Sequence, residues 1–200
     1  MFTPHEHDLE RGWPGRIDGD VVVQLAAQSL QSFFTGGSSA REHAEYPLAD
    51  VLLRAPVLEP PAVRLYEDAT RFSFANPSAV RSPGTLIARP DGRLDVATRL
   101  AAVIGLDGAI GGWTGLAEWR SPELAPPKDR DFALVLGPVL DTELTDDFEW
   151  QAARALAEQN TRLRPGDLLA GPVLALHEDV ANGTVELTFA GLGKLRARVA

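Results

Sequence analysis

Histidine and lysine are the scarce reactive side chains of this 200-residue chain. There are four histidines, His5, His7, His43 and His177, and only Lys128 and Lys194 among nineteen basic residues. An imidazole near its ordinary pKa of ~6.5 can exchange a proton at neutral pH, so His177 is a candidate acid or base as well as a plain solvated loop residue. His5 and His7 form an H-x-H pair close to the first residue, a weak metal pattern on its own. Lys128 stands in Pro-Pro-Lys-Asp-Arg-Asp-Phe132, in a chain that otherwise uses arginine. The absence of cysteine excludes thiol nucleophiles, thiolate metal sites and disulfides. No G-x-S-x-G elbow, Walker loop or G-x-G-x-x-G fingerprint occurs. Gly105 to Gly112 is glycine-rich but has no lysine placed to meet a phosphate, so turn chemistry accounts for it.

The elements that must position such groups are constrained first by size and charge. A chain of this length, 44% hydrophobic, can bury about 70% of its unfolded surface, enough for one well-formed domain. A net charge of −9 without a dense basic run argues against a nucleic-acid surface. Residues 1–10 lack the apolar run of a signal peptide, and no stretch reaches the ~18 apolar residues of a membrane span. The expectation is a soluble, cytoplasmic protein. The preference for arginine, alanine, glycine and proline points to a GC-rich genome rather than to a function.

Short β-prone runs dominate. Residues 15–25 read as a hairpin around an Asp-Gly turn, and 24–35 as a short amphipathic helix ending at Gly36-Gly37. The segment from Tyr46 alternates towards a strand and is stopped by Pro60-Pro61, where a boundary is placed: an N-terminal subdomain over 1–60 and a C-terminal domain over 61–200. Val63–Tyr66, Thr85–Arg89, Leu100–Ile104 and Phe132–Leu136 read as strands. Trp150–Gln159 reads as a helix with the stripe Ala153, Leu156 and Ala157. Val185, Leu187 and Phe189 alternate in a final strand pair around Asn182-Gly183. The fold class is mainly β, or α+β.

Three segments carry a family resemblance: Leu94-Asp-Val-Ala-Thr-Arg-Leu-Ala-Ala-Val-Ile-Gly105, Arg164-Pro-Gly-Asp167 and Gly191-Leu-Gly-Lys-Leu195. Over residues 15–199 the chain resembles the fumarylacetoacetate hydrolase family, as a short, divergent member. The resemblance implies mixed β-sheets rolled around a central pocket, preceded by a small α/β subdomain. It also implies a divalent cation, Mg²⁺ or Ca²⁺, held by two glutamates on the D-x-E-x-E strand. The matching positions here are Ala97 and Arg99. A methyl group ligates nothing and a guanidinium has no acceptor, so the ancestral metal site is expected to be lost and no cofactor is expected.

The same resemblance places Glu118, in Gly112-Trp-Thr-Gly-Leu-Ala-Glu118, at the third carboxylate position. Glu118 is then either a surface or ion-paired carboxylate or a residue that faces Arg99 in the old metal cavity. In that second case the guanidinium either stands in for the cation or seals the cavity. Lys128 matches a substrate-polarising lysine, and Tyr66 falls where a lid-helix segment begins, without the family histidine. His43 and Glu45 imitate that histidine pattern but precede the proline connector. Gly171 survives from a threonine-bearing substrate loop that is apolar here, Leu168 to Ala175.

Two functions follow as expectations. In one, a metal-independent enzyme acts on an enolisable oxo acid or β-dicarbonyl compound by isomerase, decarboxylase or cyclase-type chemistry. Arg99 and Lys128 would stabilise the enolate, Glu118 or His177 would move the proton, and Tyr66 and Gly171 would contact substrate. In the other, a catalytically inactive scaffold serves as a binding or dimer-partner subunit, a homodimer or a heteromer with an active homologue.

Overall fold

The computed structural model describes every residue except Asp8, Glu10 and Thr145. In chain order the strands begin with β1 (Phe2–Pro4), β2 (Gly15–Asp18) and β3 (Val21–Leu25), followed by helix α1 (Leu30–Thr35). Next come β4 (Glu42–Pro47), β5 (Val51–Leu53), β6 (Val63–Asp68), β7 (Arg71–Ala75), β8 (Val80–Arg81) and β9 (Leu86–Ile87). The long strands β10 (Asp95–Ile104) and β11 (Ile110–Arg120) lead to β12 (Leu134–Leu136), helix α2 (Trp150–Glu158), β13 (Leu168–His177), β14 (Gly183–Phe189) and β15 (Gly193–Val199). The mainly β class is as expected from the sequence.

A curled, mixed sheet of seven strands, ordered β7-β6-β13-β10-β11-β12-β8, forms the centre. Strand β10 is buried along all ten residues because both of its faces are covered, which is why its second half, residues 100–104, reads as a continuous apolar run rather than an alternating one. Its even-numbered side chains, Val96, Leu100, Ala102 and Ile104, pack with α2 and with the small sheet β14-β15-β9. Its odd-numbered Ala101 and Val103 pack with Leu116, Leu134, Leu168 and the connector residues Ala55 and Val57. Each fully buried Val, Leu or Ile contributes roughly 1.5–3 kcal/mol.

The N-terminal residues form two further sheets, β1-β5 and β2-β3-β4. Helix α1 starts later than the pattern implied, at the capping box of Ser29 and Ser32, because residues 21–25 are claimed by β3. Its one buried residue, Phe34, lies against Gly111, where a Cβ would come within 2.6 Å of the ring. The segment after Tyr46 divides between β4 and β5, which belong to different sheets. Asn182-Gly183 is not a hairpin turn, since β13 and β14 are not paired; the final hairpin instead turns between Phe189 and Gly193. Among the described residues no helix is long and apolar enough to cross a membrane.

Candidate functional site

Arg99 and Glu118 meet because of strand register. Ala97 lies opposite Glu118 and Arg99 opposite Leu116 in the antiparallel β10-β11 pair, so the two charged residues are diagonal neighbours on one face. Arg99 Nε donates to Glu118 Oε2 at 2.8 Å. Arg99 Nη1 donates to the carbonyls of Tyr66 at 2.8 Å and Gly171 at 2.7 Å. The second of these contacts depends on an irregularity in β13: three steps from Ala170 to Val173 oppose two from Ala101 to Arg99, leaving Gly171 outside the ladder.

Two residues that the sequence pattern did not single out complete the cluster. Arg120, two positions beyond Glu118 and therefore on the same face, donates from Nη2 to Glu118 Oε2 at 2.7 Å. Arg130, from the loop before β12, places Nε and Nη2 each 2.7 Å from Oε1. Period-two alternation could have revealed Arg120, but nothing in the spacing announces Arg130. Three guanidiniums thus surround one fully buried carboxylate. Burial pushes the Glu118 carboxyl up, but the Arg120 hydrogen bond and the charges of Arg99, Arg120 and Arg130 overcome this and hold it down at about 2. Burial pulls Arg99 below its ordinary value against the opposing pull of Glu118.

The other candidates lie elsewhere. The Tyr66 side chain points to the opposite face, where its hydroxyl donates to the Ala153 carbonyl at 2.6 Å, and burial pushes it up to about 12. Only its backbone carbonyl reaches Arg99, because alternation turns Leu65 rather than Tyr66 towards that side. Gly171 likewise contributes a carbonyl. Lys128 is exposed and pairs with Asp131 at 2.8 Å instead of joining Arg99. His177 is exposed at the end of β13, opposite Val96, and so on the other face of the sheet from Arg99. His43 lies exposed in β4.

Beside the cluster is a cleft of about 350 Å³, lined by Leu65, Ser73, Asn76, Asp129, Arg130 and Asp131 among others. Asn76 Nδ2 and Lys128 Nζ both donate to Asp131 at its rim. Arg130 is the link, with its guanidinium bonded to Glu118 and its side chain 38% exposed. A larger cleft of about 810 Å³, between Gln31, Glu59, Pro60 and Arg81, touches none of the cluster. At Ala97, Arg99 and Glu118, where the sequence resemblance led one to expect metal ligands, stand a methyl, a guanidinium and a carboxylate whose two oxygens are both taken. That set offers no free donor to a hard cation. Among the described residues no group of three His, Cys, Asp or Glu is placed to hold a metal.

No protein-family model and no curated protein matches the sequence. Solved structures do. The chain is similar to maleylpyruvate hydrolase from Sphingobium sp. SYK-6 in complex with manganese(II) and pyruvate, with TM-score 0.71 and 18% identity over 96% of this chain and 97% of that one. It is also similar to 5-carboxymethyl-2-hydroxymuconate delta-isomerase from Mycobacterium smegmatis, with TM-score 0.67 and 21% identity over 94% of each chain. A third is the apo form of 2-keto-3-deoxy-D-arabinonate dehydratase, with TM-score 0.75 and 16% identity over 96% of each chain. The chain therefore shares the fumarylacetoacetate hydrolase-like fold of these structures.

Proposed function

We propose that this chain binds a small, enolisable oxo acid or β-dicarbonyl compound without a divalent cation, in the cleft walled by Arg130. The observation that carries this reading is the open cleft at the arginine cluster, where four cations, Arg99, Arg120, Lys128 and Arg130, stand against three carboxylates, Glu118, Asp129 and Asp131. Arg130 holds the ligand carboxylate through the part of its side chain that faces the cleft, and the surplus positive charge stabilises an enolate oxygen. Asp129, on the same wall, takes the proton leaving the carbon next to the ligand's ketone carbonyl, and the electron pair of that C–H bond moves into the enolate. Isomerisation, decarboxylation or cyclisation fits this arrangement better than hydrolysis, which needs an activated water. Arg99 holds Glu118 rather than the ligand, and a carboxyl held near 2 has too little basicity to move a proton at neutral pH.

Chelator-treated protein should be stabilised against thermal unfolding by oxalate or pyruvate with no added metal, and Arg130→Ala should erase the shift. Exchange of the pyruvate methyl protons in D₂O, followed by NMR, reports enolisation. A shift that appears only with Mg²⁺ or Mn²⁺ would overturn the metal-independent reading.

A second reading, a catalytically silent pairing subunit, is favoured by β13. Beyond Ala170 this strand extends past its partner β6, and Val173, Leu174 and Leu176 are exposed along it. An open edge with apolar side chains suits pairing with a second copy or a homologous subunit. Oxo-acid binding without proton exchange, together with a dimer lost in a Leu174→Lys, Leu176→Lys variant by light scattering, would select this reading.

A further inference from the structure

We propose a second small-molecule site, for a compact hydrophobic amine, in the apolar cleft between the N-terminal sheet and the segment after Gly137. This cleft has a volume of about 470 Å³, within the ~300–1,000 Å³ range of small-molecule sites. It shares no lining residue with the Arg130 cleft. Ile17 and Val22 of the β2-β3 hairpin, Leu25 at its end, Leu30 and Phe33 of α1, and Leu140 form the greasy walls.

The charges at this cleft select the ligand's polar end. Arg16 lines it, but its guanidinium is bonded to Asp18 at 2.9 Å and to Glu42 at 2.7 Å, so it is already neutralised twice. Asp141 and Glu143 also line the cleft, and neither forms a salt bridge among the described residues. Asp141 is fixed in place, since its Oδ1 accepts the backbone N–H groups of Glu143 at 2.7 Å and Leu144 at 3.0 Å. A carboxylate ligand would therefore meet net negative charge. An ammonium would meet two carboxylates while its apolar body fills the cleft.

The test is titration of the intact chain with 2-phenylethylamine and, separately, with phenylacetate, read by calorimetry and by ¹H–¹⁵N NMR. The amine should bind, with shifts confined to residues around β2, β3, α1 and 138–143, while phenylacetate should not. Ile17 is 40% exposed, so Ile17→Trp can fill the cleft without disturbing the core, and it should abolish binding. Glu143→Gln should weaken the amine roughly fivefold, as expected for one partly exposed charge contact. Equal binding of phenylacetate, binding that survives Ile17→Trp, or shifts centred elsewhere would each overturn the proposal. So would no binding at millimolar amine in a protein shown by NMR to be folded.

Discussion

Glu118 and Asp167 are both buried carboxylates facing arginine, and they are built in opposite ways. Glu118 receives four guanidinium contacts of 2.7–2.8 Å, from β10, β11 and the loop before β12. Asp167, in the Pro-Gly-Asp turn, receives one from Arg64 at 3.3 Å and the Arg164 backbone N–H at 3.2 Å. Among the described residues its Oδ1 and the Arg64 Nε have no hydrogen-bond partner. Arg64 instead lies over the rings of Phe72 and Phe74, at 5.8 and 5.4 Å. The contrast teaches that burial alone does not make a carboxylate structural. Saturation from three separate segments makes Glu118 a hub that ties the sheet together, whereas the loosely paired Asp167 mainly orders its own turn.

The sharpest break of this comparison is Glu118→Ala. It strands three guanidiniums, one of them buried, and should cost about 3–5 kcal/mol in urea unfolding. Acid should act on the same hub. Glu118 is held at about 2, below its ordinary 4.5, so its contribution is fully present above about pH 4.5 and is lost as pH falls towards 2. The loss is roughly 3 kcal/mol. Denaturation measured across that window should show the slope in the parent chain and a shallower one in Glu118→Ala. Arg99→Ala should cost less, about 2 kcal/mol, because Glu118 keeps Arg120 and Arg130 while the Tyr66 and Gly171 carbonyls lose a donor. Asp167→Asn should cost least, about 1 kcal/mol, since its contacts are long and one oxygen is already bare. If Asp167→Asn proves as damaging as Glu118→Ala, the distinction between the two carboxylates fails.

The meeting of Arg99 with Glu118 was legible before the fold was known. The resemblance paired Arg99 with Glu118, and the register of β10 against β11 is what brings the two side chains onto one face. Arg120 was not singled out, although period-two alternation from Glu118 would have found it. Arg130 has no such signal, because a loop has no period. Lys128 and His177 were misplaced for the same kind of reason. Lys128 is held by Asp131, three residues along the loop, and His177 is turned away by strand parity after two irregularities in β13. The phenol of Tyr66 follows parity as well, leaving only its carbonyl on the Arg99 side.

By itself the amino-acid sequence determined the mainly β class, helix α2 and the β2-β3 hairpin, because periodicity and turn chemistry are local properties. Only the tertiary structure decided that three arginines converge on Glu118, that a cleft remains open at Arg130, and that a separate apolar cleft lies beside β2 and β3. Those features depend on distances between segments far apart in the chain, which are set by sheet order and packing. No residue spacing encodes them.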